Sequence, residues 1–233
     1  MKKNWKKRLV LGGLALAMAA MTGCYGYGSY GGYGGYANQV PKTTAAKETL
    51  EEFDISTLRT ADGVYQFQGL EWGATKQELG EYLGITLGDG VTFSDGSSYC
   101  DVNYSLLLED KVSLGMMPTF DVDGGLMCLS FYFENIYKAE ELDAFFEDVV
   151  ESCVAEFGEA DEIREQVDES NGVEYSSVTA MWFHEIDDTH TTSLQVGKLD
   201  SGRGTDAVVV GVNIYDPNQI EEETTEEAAS EEE

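Results

Sequence analysis

One amphipathic segment constrains the fold of this chain more than any other feature. Between residues 142 and 157, apolar side chains recur at spacings of three and four, with acidic residues on the opposite side. The apolar positions are Leu142, Phe145, Phe146, Val149, Val150, Cys153, Val154 and Phe157. This spacing predicts an α-helix of about four turns, which ends at Gly158. Because its apolar stripe must be covered, we expect the helix to pack on a β-sheet.

A shorter helix is predicted earlier in the chain. Thr75-Lys76-Gln77-Glu78 fits a capping box, in which the threonine and the glutamate each bond a free backbone amide at a helix start. Leu79, Tyr82 and Leu83 give the helix an apolar side, and Gly84 can end it in a left-handed conformation.

Period-two segments surround the second helix and predict strands. They are Val91–Phe93, Tyr99–Leu108, Val112–Phe120, Leu126–Phe133, Val173–Glu185, Thr191–Leu199 and Ala207–Tyr215. The links between them are short, and Asp-Gly pairs mark turns. We therefore predict one α+β domain over residues 62–217, with an antiparallel sheet of about six or seven strands and two helices packed on one face. Two αβββ repeats would also fit this order of elements.

The N-terminal residues have the pattern of an export signal. Five Lys and Arg residues among the first eight precede an apolar run from Leu9 to Met21, which is too short to span a bilayer. Met21-Thr22-Gly23-Cys24 follows and resembles the lipobox of bacterial lipoproteins. That resemblance implies cleavage after residue 23, lipidation of Cys24, and a cell-envelope location outside the cytoplasm. A secretory peptide that precedes a cysteine by chance is the alternative.

Two low-complexity segments flank the predicted domain. Residues 25–36 read YGYGSYGGYGGY, and with the polar stretch after them they predict a flexible tether over residues 24–61. The tract could stack on cell-wall sugars, but an inert spacer is the simpler interpretation. Residues 221–233 hold eight glutamates and no base, so residues 218–233 are predicted to form a disordered acidic tail.

Charge limits the possible partners. Loss of residues 1–23 would remove five of the 14 Lys and Arg and no acid, which changes the formal charge from −30 to −35. Such a surface repels nucleic-acid phosphates and anionic lipid headgroups. We therefore expect no nucleic-acid binding, and membrane attachment only through the lipid on Cys24.

The long second helix and the phrase from Phe67 to Thr75 support a further resemblance. Phe67-Gln68-Gly69-Leu70-Glu71-Trp72-Gly73-Ala74-Thr75 is similar to the opening of many bacterial lipoproteins, and Glu156-Phe157-Gly158-Glu159-Ala160 is similar to the end of their second helix. The helix-then-sheet order resembles β-lactamase-inhibitory proteins and small outer-membrane assembly lipoproteins. The resemblance implies protein binding and not catalysis.

Catalytic and metal-binding patterns are weak. Cys100, Cys128 and Cys153 lack a neighbouring cation or paired histidine, so we expect buried thiols, or one disulfide between Cys100 and Cys128. His184 and His190 flank a predicted hairpin tip. A three-residue loop would put them on one face and allow a metal between them, whereas a two-residue loop would separate them. Solvated loop residues are the simpler interpretation.

Aromatic residues are the remaining binding candidates. Trp72, Tyr132 and Trp182 could line a ligand surface, although strand alternation places half of such residues in a core. With no cofactor motif and no standout carboxylate pair, we expect a lipid-anchored binding module for a protein or a cell-wall ligand such as peptidoglycan. The alternative is an envelope hydrolase that uses carboxylates on wall glycan or peptide.

Overall fold

The computed structural model describes residues 50, 52–88, 90–102, 104–134, 139–170, 173–200 and 206–217. Residues Glu52–Asp216 form one compact unit. This unit begins before the predicted boundary at Asp62, because Phe53 and Leu58 are buried in the core. Cys24, the Gly/Tyr tract and the acidic tail lie outside the described residues.

Both predicted helices are present. Helix α1 spans Lys76–Leu83 and helix α2 spans Ala139–Phe157, and a short 3₁₀ helix precedes them at Ile55–Leu58. The capping box of α1 is confirmed, since Thr75 N donates to Glu78 Oε2 at 2.8 Å and Glu78 N donates to Thr75 Oγ1 at 3.3 Å. Gly84 ends α1 in the left-handed conformation with φ 69°, as predicted.

The described residues contain ten strands, and eight of them form one antiparallel sheet. The strands are β1 Val91–Thr92, β2 Ser98–Tyr99, β3 Leu107–Leu108, β4 Lys111–Val112, β5 Gly115–Phe120, β6 Leu126–Glu134, β7 Glu162–Ser170, β8 Val173–Asp187, β9 His190–Asp200 and β10 Ala207–Tyr215. The sheet has the order β1-β2-β5-β6-β10-β9-β8-β7, and β3 pairs separately with β4.

The α+β class and the antiparallel sheet are therefore confirmed, whereas the predicted strand count was too low. Strand β7 was missed because its sequence, EIREQVDES, is mostly charged and has only two large apolar residues, Ile163 and Val167. Both are 64% exposed, since β7 is the edge of the sheet. The predicted strand Tyr99–Leu108 is also broken, with only its two ends extended.

The two halves of the sheet have similar connectivity. Helix α1 is followed by β1, β2, β5 and β6, and helix α2 is followed by β7, β8, β9 and β10. The halves join where β6 pairs with β10. Each half therefore supplies four strands to the sheet, and the αβββ repeat is not the arrangement observed.

The hydrophobic core lies between α2 and the sheet. The α2 side chains Leu142, Phe145, Val149 and Cys153 are buried against it, as the helical spacing predicted. They face the strand residues Leu129, Phe131, Phe133, Val208, Val210, Val212, Leu194, Val196, Ala180 and Trp182. The α1 residue Leu79 belongs to the same core. We call the side of the sheet that carries the helices the core face.

Candidate functional site

The opposite side of the sheet is the candidate site, and we call it the polar face. Strand register places alternate residues of each strand on this side, in rows that cross the six strands β5–β10. Its side chains include Met117, Thr119, Cys128, Ser130, Tyr132, Glu162, Thr179, Met181, Thr191, Ser193, Gln195, Ala207, Val209, Asn213 and Tyr215, with Gly197 and Gly211 between them. Most of them are hydroxyl-bearing, amide-bearing or small.

Apolar side chains of the polar face form no part of the core. Met117, Met181, Ala207, Val209 and Tyr215 are buried but lie outside the core cluster. Every buried apolar side chain from outside the described strands belongs to that cluster instead. Within the described residues, the helices and the segment before α1 therefore pack only on the core face.

A buried hydrogen-bonded group occupies the centre of the polar face. Ser193 Oγ donates to Asn213 Oδ1 at 2.5 Å, and Gln195 Nε2 donates to Ser193 Oγ at 3.2 Å. Ser193 is 0% exposed and Gln195 is 6% exposed. Such a group is expected to hold its side chains in fixed orientations, because buried polar groups are costly when unpaired.

Four buried polar atoms on this face have no hydrogen-bond partner in the described part of the chain. They are Thr119 Oγ1, Glu162 Oε2, Thr191 Oγ1 and Tyr215 Oη. Thr191 and Tyr215 are direct neighbours across β9 and β10. Burial raises the pKa of Tyr215 to about 12, and the negative charge of Glu162 adds to the effect. These four atoms are therefore buried hydrogen-bonding groups that the described residues leave unpaired.

The three predicted aromatic candidates occupy different environments. Tyr132 lies on the polar face, half-buried, opposite Gly115 and Val209. Trp182 lies on the core face, is 1% exposed, and donates its indole N–H to the Gly158 carbonyl at 2.8 Å. Trp72 packs partly against the core. Alternation along one strand does not reveal which side faces the core. Only the strand register shows that Tyr132 and Trp182 lie on opposite sides of the sheet.

The polar face itself was not predicted as a site. Thr191, Ser193 and Gln195 alternate with Leu194 and Val196, which is typical of a strand with one solvated side. The signal for a second buried side was the apolar run Val208-Val209-Val210, because consecutive apolar residues are typical of a strand that is covered on both sides.

The histidine pair flanks a hairpin with a β-bulge. The register shifts between Glu185 and Asp187, so that His184 lies opposite Thr192 and His190 lies opposite Asp187. His190 Nδ1 is 3.0 Å from Asp187 Oδ1. The His184 ring packs closely against Gly63, since a Cβ added at Gly63 would be 2.8 Å from the ring. Among the described residues, no group of three or more metal-binding side chains converges.

The three cysteines are free thiols. Cys100 and Cys153 belong to the core, whereas Cys128 lies on the polar face with its Sγ 3.5 Å from Ser130 Oγ. A Cys100–Cys128 disulfide is therefore not formed. Burial raises the pKa of Cys153 to about 12, which suppresses its thiolate.

The carboxylates with displaced pKa values have turn and capping roles. Backbone hydrogen bonds from Thr75 and Ser97 contribute to the lowered pKa values of Glu78 and Asp95, with the Ser97 hydroxyl contributing most for Asp95. Hydrogen bonds from Thr189, first from its backbone N–H, lower the pKa of Asp187 to about 2. Lowered values keep these groups ionised, which does not suit a general acid.

Comparison with known proteins assigns no family to this chain. The chain matches no protein-family model, no curated protein and no solved structure. None of the helices in the described residues is long and apolar enough to cross a membrane.

Proposed function

We propose that this protein is a lipid-anchored binding module of the bacterial envelope, and that its polar face binds a partner protein. Cys24 carries the lipid, and the residues that follow it hold the domain away from the membrane. The observation that carries the proposal is the second buried face of the sheet, whose apolar side chains lie outside the core.

The small residues at the centre of the polar face suit a bulky side chain of a partner. Gly197, Gly211, Ser130 and Ser193 have small side chains or none, and they lie together at the centre of the face. Met117, Met181 and Tyr132 lie on the same face. Interfaces of this kind take an aromatic or arginine side chain into a pocket lined by apolar and polar groups.

Charge favours a basic partner. Residues 62–220 contain 32 acids and six bases. On the polar face, Glu162 Oε2 is buried without a partner in the described chain, while Glu162 Oε1 accepts from Arg164 Nη2 at 2.9 Å. A lysine or arginine from the partner would pair with Glu162 and gain from the acidic surroundings.

Cross-linking in intact cells of the source organism tests the proposal. The mature protein is recovered from cells that express the wild type, Cys24→Ala, Tyr132→Ala or Tyr82→Ala, and co-purifying material is identified by mass spectrometry. Tyr82 is the matched control, because it is an exposed tyrosine on α1.

We expect one dominant protein that is lost with Tyr132→Ala, retained with Tyr82→Ala, and reduced with Cys24→Ala. Glycan fragments in place of a protein would assign the face to the cell wall and overturn the proposed partner class. Equal recovery with Tyr132→Ala and Tyr82→Ala would remove the polar face from the interface.

A further inference from the structure

We propose that strand β7, at one edge of the sheet, binds an extended segment of another protein that carries apolar and basic side chains. The segment pairs with the outer side of β7 and adds a strand to the sheet, which is an established mode of peptide recognition. The side chains that select it, Ile163, Glu165 and Val167, lie on the side of the sheet opposite the polar face. The inference therefore does not depend on the proposed function.

The geometry of β7 suits strand pairing. Strand β7 has nine residues, and it pairs with β8 from Glu162–Met181 to Ser170–Val173 without a shift of register. It is the last strand in the order of the sheet, so no other described strand pairs with its outer side. A long, regular edge is a template for a further strand unless proline, lysine or a bulge blocks it. The β7 sequence, EIREQVDES, contains neither proline nor lysine.

The opposite edge of the sheet lacks this geometry. Strand β1, the first in the order of the sheet, contains only Val91 and Thr92. Very short edge strands are one of the ways in which proteins prevent pairing with other chains. Of the two edges in the described sheet, β7 is therefore the one that can accept a further strand, and β1 provides the comparison.

Exposed apolar side chains on β7 provide a contact surface for the added strand. Ile163 lies opposite Ala180 of the core face, and Val167 lies on the same side of the sheet. Each is 64% exposed, so the helices do not cover them. Glu165 stands between them on the same side and is exposed as well. Because directly opposed side chains of paired strands contact each other, the partner should present an apolar, a basic and an apolar residue at alternate positions.

The charge of β7 selects the kind of strand that can pair with it. The strand has four acids and one base, and the base, Arg164, already donates from Nη2 to Glu162 Oε1 at 2.9 Å. A second copy of this chain would bring the same excess of acids against β7, and like charges directly opposite each other are destabilising. Residues 62–220 as a whole contain 32 acids and six bases. A basic segment is therefore favoured over a second copy.

Titration with designed peptides tests the proposal. The probe is the capped peptide TVTKTVT, which places valine, lysine and valine at alternate positions. Its two controls are TVTETVT and a TVTKTVT peptide with methylated backbone amides, which cannot pair as a strand. The purified mature chain with Cys24→Ser is isotope-labelled, and binding is followed by the nuclear magnetic resonance shifts of its backbone amides.

We expect TVTKTVT to shift amides of β7 and to leave those of β1 unchanged. Val167→Lys should weaken this binding by about fivefold or more, because a lysine replaces an apolar cross-strand contact and repels the peptide. Val91→Lys is the matched control, since Val91 is 51% exposed on the opposite edge and the change in charge is the same. Its affinity should stay within about twofold of the parent.

Glu165→Lys separates recognition from a loss of folding. This variant should prefer TVTETVT to TVTKTVT, whereas the parent should show the reverse preference, and a merely unfolded edge would bind neither peptide. The urea midpoint of each variant is measured alongside.

Four results would overturn the inference. They are no shift of β7 amides with TVTKTVT, equal weakening by Val167→Lys and Val91→Lys, an unchanged peptide preference in Glu165→Lys, and full binding of the methylated peptide. Self-association of the parent that Val167→Lys abolishes would assign the edge to a second copy and overturn the proposed occupant. None of these results bears on the proposed function, whose readout is the loss of a partner with Tyr132→Ala in cells.

Discussion

Replacement of Trp182 by phenylalanine separates the structural role of this residue from a binding role. Trp182 is 1% exposed, and its indole N–H donates to the Gly158 carbonyl at the end of α2. Phenylalanine removes about 40 Å³ of buried volume, which costs about 1 kcal/mol at roughly 24 cal/mol per Å³ of cavity. The lost apolar transfer adds about 1 kcal/mol, and the lost hydrogen bond about 1 kcal/mol. We expect the free energy of unfolding to fall by about 3 kcal/mol.

Urea unfolding followed by far-ultraviolet circular dichroism measures this change, since tryptophan fluorescence would itself be altered. With a slope of about 2 kcal/mol per molar urea, the midpoint should decrease by about 1.5 M at an unchanged slope. Trp72→Phe is the control. Trp72 is only partly buried, although it too donates a hydrogen bond, to the Tyr65 carbonyl at 2.9 Å, so its decrease should be smaller. A Trp182→Phe decrease below about 0.5 M would refute the reasoning on core packing.

Three further predictions concern single residues. Thr75→Ala removes the capping box of α1 and should lower the free energy of unfolding by about 1 kcal/mol in urea titrations; an unchanged midpoint would contradict the role of the cap. Gly84→Ala should cost about 1 kcal/mol in the same assay because φ is 69°, and a more stable variant would contradict the strain argument. Because the folded-state pKa of Tyr215 is raised to about 12, the neutral phenol contributes fully to the free energy of unfolding below pH 10. This contribution is lost as the pH rises from 10 to 12. The wild type should lose about 2–3 kcal/mol more than Tyr215→Phe over that interval, and parallel pH profiles would show that Tyr215 titrates normally.

The sequence predicted those elements whose local pattern and tertiary environment agree. Helix α2 was predicted correctly because its apolar stripe keeps one helical period from Leu142 to Phe157, and the residues of this stripe pack against the core. The capping box and Gly84 are local motifs whose hydrogen bonds and backbone angles depend little on distant residues. These features required no knowledge of the sheet order.

The features that the sequence did not reveal depend on contacts between distant strands. Strand β7 is an edge strand, so its outer residues need not be apolar, and its charged sequence conceals the extended conformation. The polar face became visible only when the register aligned Ser193 with Asn213 and Thr191 with Tyr215. Each of these strands alone is compatible with a solvated face, and only their alignment reveals a second buried surface.

The sites of contact with the proposed partner in living cells provide the most direct test of the polar face. A photoreactive phenylalanine analogue is placed at Tyr132 on the polar face or at Tyr82 on α1, and the adducts formed in intact cells are compared. We expect one dominant protein adduct from position 132 and none from position 82. An adduct from position 82 alone, or the same adducts from both positions, would contradict this expectation.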